Sequence, residues 1–463
     1  MLYDKLKAYA ESGVYPFHMP GHKRQSICDL PYRIDLTEIE GFDNLHDPQG
    51  CIRELEKKAE ALFNSKRAFL MVNGATGGIL AGVRSLTNPG DTVILARNCH
   101  RSVYNAVELC GLNAEYIYPK RLSGYPSVCG SITEEEVFAA LQAHPEAKLV
   151  VLTSPTYEGV GSDLALIAEI CRDCGARLLV DEAHGAHRYF DRKTVTATAA
   201  GADVSVVSLH KTMPSLTQTA LLLTGDEALI PLLQENLSVF ETSSPSYVLM
   251  SSMEMCFRFI EEQAGIFESY EKRLADFYRK TGSLKNLQLL YNRLPENVFD
   301  FDRGKLVIMT LGTDVSGHEL AELLRRDYRI ETEMSADDYV IAMTSVCDTD
   351  EGFERLAEAL IKIDSKLCAV PLTQNSILEI KPQKACRSCD CFKRACAVKP
   401  LEQTAGLVSY EDVFAYPPGI PLIVKGEVMT EELLREIGRL ERRGVSICSS
   451  RGTYPDGLMV SDL

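Results

Sequence analysis

The sequence predicts an α/β fold built on a mostly parallel, seven-stranded sheet. Two observations predict it. Seven short runs rich in apolar residues are continuous rather than alternating, as strands buried on both faces require. Helical patterns separate many of them, and that alternation produces parallel strands covered by helices. A third observation concerns position. Residues able to do chemistry follow several of these runs, and in such sheets ligands collect along the carboxyl edge of the strands.

The elements come in order along 463 residues. The first fifty form an irregular arm containing FHMPGHK (Phe17 to Lys23) and an acidic stretch from Asp35 to Asp47. A helix is predicted over Ile52–Phe63 from its charge and apolar spacing. Strands follow at Arg67–Val72, Thr92–Ala96, Ala114–Tyr118, Lys148–Thr153, Ala176–Asp181, Asp203–Ser208 and Thr219–Thr224. Helices are expected at Gly77–Leu86, Ser102–Cys110, Glu134–Ala143 and Leu164–Cys174, and one long helix at Tyr247–Glu271. A smaller α+β unit comes next, with strands near Lys305–Thr310 and Tyr339–Ala342. The tail holds YPPGIP (Tyr416 to Pro421) and a helix at Thr430–Arg443. The expected division is an arm over 1–50, a large unit over 51–275, a small unit over 276–379, a Cys-rich linker over 380–404 and a C-terminal segment over 405–463.

Composition narrows the function. Charged residues make up 25% and hydrophobic ones 45%, the balance of an ordinary globular chain. The formal net charge of −16 repels nucleic acid and mildly favours cationic small molecules. No run of 18 apolar residues predicts a membrane span. The opening MLYDKLKAYAESG has no apolar signal core, so a cytoplasmic location and fifteen reduced cysteines are expected.

Four features mark the candidate site. Lys211 follows the strand Asp203–Ser208 in SLHK; an amine there can form a Schiff base with an aldehyde cofactor if its pKa falls. Taken singly, a lysine is most often a surface side chain. Asp181 ends its strand in VDEAHGAH, where a carboxylate can pair with a pyridinium N–H and keep that ring an electron sink. A helix cap or a metal ligand would use the same residue. Asn73 to Gly78 (NGATGG) follows the first strand and opens a helix, so its backbone N–H groups and the Thr76 hydroxyl can meet a phosphate. A plain tight turn would also suit, and the stretch is neither GxxxxGK[ST] nor GxGxxG. His100, in RNCHRS, can stack on a pyridine ring or simply start a helix. Ser208 is placed to donate to the same phosphate, and His184 to sit beside the ring.

With these motifs in view, the chain resembles the PLP-dependent ornithine/lysine/arginine decarboxylases, enzymes of the aspartate-aminotransferase fold (fold type I). FHMPGHK, FDNLHDPQG, NGATGG, RNCHRS, SPTYEG, VDEAHGAH, SLHK and YPPGIPL carry the resemblance over roughly residues 15–275 and again near 405–440. It implies pyridoxal 5'-phosphate (PLP) as cofactor and decarboxylation of arginine, lysine or ornithine to an amine of the polyamine routes. It also implies Lys211 as the Schiff-base lysine, Asp181 as the pyridinium partner and His100 as the stacking ring. Ala75, Thr76 and Ser208 would hold the phosphate, and His210 would assist near the substrate carboxylate. ETSSPSY (Glu241 to Tyr247) matches a stretch that reaches the neighbouring subunit's cofactor, which implies a homodimer. Long members carry an N-terminal response-regulator-like domain, whereas the motifs here begin within twenty residues, so a short form is expected.

Two rivals stay open. An aminotransferase of the same fold would need an arginine clamp for the α-carboxylate, and no arginine is assignable to it. Cys386, Cys389, Cys391 and Cys396 could form a metal or redox module, although a loop of free thiols fits the same spacing. No metal is assigned. For the distal group of a basic substrate, Glu38, Glu40, Asp43, Asp47 and Glu427 are candidates, with solvated surface charge as their simpler role.

Overall fold

A computed structural model describes residues 12–17, 43–191, 193–371, 380–393, 395–416, 420–442 and 444–462. His18 to Lys23 of FHMPGHK, Glu38 and Glu40 of the acidic stretch, and Pro417 to Gly419 of YPPGIP lie outside the described residues.

The large unit opens with helix α1 (Cys51–Leu62). Asp43 holds its start by accepting from the backbone N–H groups of Gly50, Ile52 and Arg53. The central sheet follows: β1 (Arg67–Met71), β2 (Thr92–Ala96), β3 (Asn113–Ile117), β4 (Leu149–Thr153), β5 (Arg177–Asp181), β6 (Val204–Ser208) and β7 (Ala220–Thr224). Their spatial order is β1-β7-β6-β5-β4-β2-β3. Only β7 runs against the others, pairing antiparallel with β6 and β1. Strands β1, β2, β6 and β7 are buried at every position, which is why their sequences read as unbroken apolar runs. Strand β3 lies at the edge and is only partly buried, at Ala114 and Ile117.

Helices α2 (Gly74–Leu86), α3 (Arg101–Cys110), α4 (Glu134–Ala143) and α5 (Leu164–Asp173) connect the strands. Helix α2 lies unusually close to the sheet. A Cβ on Gly78 would sit 2.9 Å from Val206 Cγ1, and one on Gly82 would sit 2.8 Å from Leu179 Cδ1. Those glycines therefore serve helix-on-sheet packing, whereas Gly74, with φ +70°, makes the turn itself.

The helix expected over Tyr247–Glu271 is two helices, α6 (Tyr247–Glu262) and α7 (Ile266–Thr281). Gly265 separates them in a left-handed conformation, φ +80°. The small unit then forms β8 (Gln288–Leu289), β9 (Lys305–Met309), β10 (Met334–Ser335) and β11 (Tyr339–Met343), in the antiparallel order β8-β9-β11-β10. The short strand Tyr15–Phe17 runs parallel to Ile330–Thr332 and ties the N-terminal region to this unit.

The segment expected as a linker over 380–404 carries regular structure. Ala397–Lys399 pairs with Leu458–Ser461, and Lys384 bridges to Glu427. The rest of this unit packs Val413, Ile423, Leu433 and Ile437 of the final helix α8 (Glu431–Arg442) into a core of its own. It docks on the β2–β3 edge through ion pairs. Arg97 Nη2 lies 2.9 Å from Glu427 Oε2, Lys425 Nζ 2.5 Å from Glu108 Oε2 and Lys384 Nζ 2.6 Å from Glu115 Oε1. Glu427 is 1% exposed, which corrects its reading as a solvated carboxylate. Among the described residues, no helix is long and apolar enough to cross a membrane.

Candidate active site

Parallel strands put their carboxyl ends on one edge, and the predicted residues follow β1, β2, β5 and β6. Asp181 is the last residue of β5, 2% exposed, and accepts from the Ala183 N–H at 3.0 Å. Burial pushes its carboxyl up, while Lys211 and the Ala183 N–H pull the other way. Lys211 lies in the short helix Leu209–Thr212 that continues β6. Burial pushes its amine down, against the pull of Asp181 and Glu333. The Lys211 Nζ stands 2.9 Å from His184 Nε2. His184 is 4% exposed, and burial together with Lys211, Lys305, His100 and His210 holds its imidazole well below the ordinary range. These groups feel one another's charge and so form one cluster.

His100 caps helix α3, accepting through Nδ1 from the Ser102 N–H at 3.2 Å, and remains exposed. The surrounding protein and the charges of Lys211 and Arg101 push it down to about 4. It is therefore both a helix start and a neighbour of the lysine. His210 is half-buried and bonds Thr219 O through Nδ1 at 3.0 Å. Burial pushes it down as well.

Ala75 and Thr76 lie in the first turn of α2. The cap residue Asn73 makes no side-chain cap bond, because its amide donates to Phe240 O at 2.7 Å instead. The first N–H groups of that helix thus lack a side-chain acceptor. Ser208 is 1% exposed, and its buried hydroxyl has no hydrogen-bond partner among the described residues. An orphaned hydroxyl, a helix start lacking a capping side chain, a buried carboxylate and a neutral-leaning amine are the donor set that a phosphorylated pyridine aldehyde requires. PLP fits these residues.

Two contributors escaped the sequence reading because they come from the small unit. Lys305 opens β9, and its Nζ lies 2.7 Å from His184 Nδ1. Glu333, between Thr332 and β10, accepts from the Tyr157 hydroxyl at 2.5 Å, and its charge acts on both Lys211 and His210. Tyr157 in turn meets the His184 ring edge-on, with centroids 4.7 Å apart. Tyr157 was visible within SPTYEG, but nothing local in the sequence marks Lys305 or Glu333.

The comparisons decide the family. The family described as Orn/Lys/Arg decarboxylase, major domain, matches residues 1–302. The arginine decarboxylase of Bacillus subtilis is 31% identical over 449 residues, covering 93% of this chain and 91% of that protein. The chain belongs to the Orn/Lys/Arg decarboxylase family. It is a PLP-dependent amino-acid decarboxylase whose substrate is a basic amino acid. Solved structures agree on the fold. The lysine decarboxylase LdcF of Francisella novicida matches with a TM-score of 0.79 at 18% identity, covering 96% of this chain and 77% of that one. The ureidoglycine–glyoxylate aminotransferase of Bacillus subtilis matches at 0.53 with 15% identity, covering 70% of this chain and 87% of that one. This decarboxylase therefore has the fold-type-I architecture its sequence predicts.

The cysteines do not gather into the four-thiol group that a metal module would need. Cys386 and Cys391 approach to 3.8 Å between sulfurs, while Cys396 is exposed. Among the described residues, no group of three or more His, Cys, Asp or Glu is placed to hold a metal ion. Asp43, offered above for substrate recognition, spends both carboxylate oxygens on backbone N–H groups around the start of α1.

Proposed function

We propose that the protein decarboxylates arginine, with Lys211 as the coenzyme's tether and Asp181 as the anion facing its ring nitrogen. The observation that carries the reading is the Lys211 Nζ standing 2.9 Å from the buried His184 ring, on the sheet edge where the buried Asp181 ends β5. When bound, PLP supplies an electron sink for the electron pair left by departing CO₂. Asp181 keeps a proton on the ring nitrogen, so that the ring can accept that pair. Ala75, Thr76 and Ser208 hold the phosphate, and His100 covers the ring. His184 orients the Lys211 amine. Lys211 or His210 returns a proton to the carbon that loses its carboxylate.

Substrate choice rests on Glu333. Besides Asp181, it is the carboxylate whose charge acts on Lys211, and it belongs to a different unit from the tether. A carboxylate there suits a guanidinium, which it can bind through two parallel N–H bonds. The full-length likeness to an arginine decarboxylase supports the same choice. The experiment is CO₂ release from arginine, ornithine and lysine by the wild type and by Glu333→Gln. Arginine should be turned over best, and the variant should raise its KM while leaving the coenzyme band in place. Equal use of all three substrates, or an unchanged KM, overturns the assignment. The proposal extends to a cytoplasmic homodimer, supported by the resemblance of ETSSPSY and tested by light scattering of the holoenzyme.

A further inference from the structure

The geometry points to Lys305 as a positioning residue that keeps the His184 proton on Nε2 and thereby presents Lys211 as a neutral amine. This inference rests on the reading of Lys211 as the tether.

Lys305 enters the site from the small unit and is 1% exposed. Its stem is clamped by Gly159, where an added Cβ would lie 2.8 Å from Lys305 Cγ. Its Nζ is 2.7 Å from His184 Nδ1, and the Lys211 Nζ is 2.9 Å from His184 Nε2. One imidazole therefore bridges two amines.

Counting protons limits what this bridge can be. A neutral imidazole has one N–H and one bare nitrogen, and an ammonium group only donates. Two ammonium groups would need two bare nitrogens, which a neutral ring does not have. A protonated ring, with two N–H groups, would need two neutral amines. At least one of the lysines is therefore neutral whenever both bonds are made.

The surroundings select which one. Asp302 is buried, yet His187, Lys305 and Arg188 outweigh that burial and keep it ionised. That attraction is mutual, so the Asp302 carboxylate favours the charged form of Lys305 over the neutral amine. On the other side, burial depresses Lys211 despite Asp181 and Glu333, and His100, His210 and Tyr157 also face the ring. Lys305 thus donates to a bare Nδ1, and the Nε2–H donates to the lone pair of Lys211. That lone pair is the one an amine uses to attack an aldehyde carbon.

The test uses the coenzyme-free full chain. Uptake of pyridoxal phosphate is followed as growth of the visible band across pH for the wild type, Lys305→Met and Lys211→Ala. Methionine keeps an unbranched apolar stem and removes the charge. The Lys305→Met midpoint should move up by about one pH unit, making uptake at neutral pH about tenfold slower. A merely structural role would slow uptake at all pH values without moving the midpoint, and an unmoved midpoint overturns the inference. If Lys211→Ala takes up the coenzyme with the same band, the tether assignment fails instead. Should Lys305→Met not fold, the imidazole nitrogen shifts of ¹⁵N-histidine-labelled wild type decide. A bare Nδ1 on His184 is expected, and a proton there overturns the inference.

Discussion

Two charge clusters, each around buried groups, hang from the same strand. Arg97 follows β2 immediately and turns toward the C-terminal unit, while His100, three residues on, turns toward Lys211. In the first cluster Arg97, Lys425 and Lys384 each have a carboxylate within hydrogen-bond distance. In the second, two lysines share an imidazole, and burial pushes Asp181 up and Lys211 down. Matched charge holds a structure together in one geometry. Mismatched burial costs stability and leaves groups poised to exchange protons. The difference separates the docking surface from the reactive one without reference to any relative.

The strongest way to break that comparison is Asp181→Asn. Shape is kept and one charge is lost on the mismatched side. Turnover should fall about 10²- to 10³-fold, the usual cost of removing one preorganised electrostatic group. Stability should hold or rise, because a carboxyl that burial disfavours is gone. CO₂ release and urea unfolding of the same preparation check both halves. Unfolding at markedly lower urea would place Asp181 with the structural pairs.

Glu427→Gln is the mirror experiment. It leaves Arg97 buried and unmatched, at a cost of about 3–5 kcal/mol in unfolding free energy. Coenzyme uptake per folded molecule should be unchanged. The double variant Arg97→Met/Glu427→Leu should recover most of the loss, since an apolar pair of similar volume avoids the desolvation cost. Lost uptake with intact stability would mean that the docked unit shapes the site.

The sequence shows one of these clusters far better than the other, for physical reasons. The seven strands are legible because burial on both faces leaves no polar alternation to confuse the pattern. Asp181, His100 and Lys211 are legible because each ends such a strand or follows one within four residues. Glu427 is not, because its partner Arg97 is 330 residues away and a lone glutamate reads as surface. Lys305 fails for the same reason: at the start of KLVIM it looks like the charged flank of a strand. The break in the long helix is not legible because apolar spacing continues through Phe257, Ile260 and Phe267, whereas the first helix ends at Glu262 and the left-handed Gly265 starts the second.

A pH measurement sharpens the comparison at Glu241, beside the glycine turn. It is 7% exposed, and one of its oxygens lacks a hydrogen-bond partner among the described residues. Burial pushes its carboxyl from 4.5 up to about 7, against the Val72 and Asn73 N–H groups. The folded chain therefore keeps a proton that the unfolded chain releases, and stability falls as pH rises from about 4.5 to 7. The full swing is up to about 3 kcal/mol. Glu241→Gln should flatten it in urea midpoints of the coenzyme-free chain. An unchanged slope would put Glu241 among the matched groups.

The smallest effect tests whether matching requires a countercharge at all. Among the described residues no cation is bonded to Asp43, but it accepts from the N–H groups of Asn44, Gln49, Gly50, Ile52 and Arg53. Burial is the largest single effect opposing its ionisation, yet the N–H donors together outweigh it and hold the carboxyl below its usual range. Backbone dipoles thus outweigh burial for Asp43, at an exposed helix start, whereas Arg97 only partly offsets the burial that pushes Glu427 up. Asp43→Ala should cost about 1 kcal/mol, the usual price of a lost cap, and thermal unfolding would read it. Arginine KM should stay where it is, because both oxygens are already committed to the backbone. A KM raised tenfold with stability unchanged would return Asp43 to the substrate site and remove the argument for Glu333.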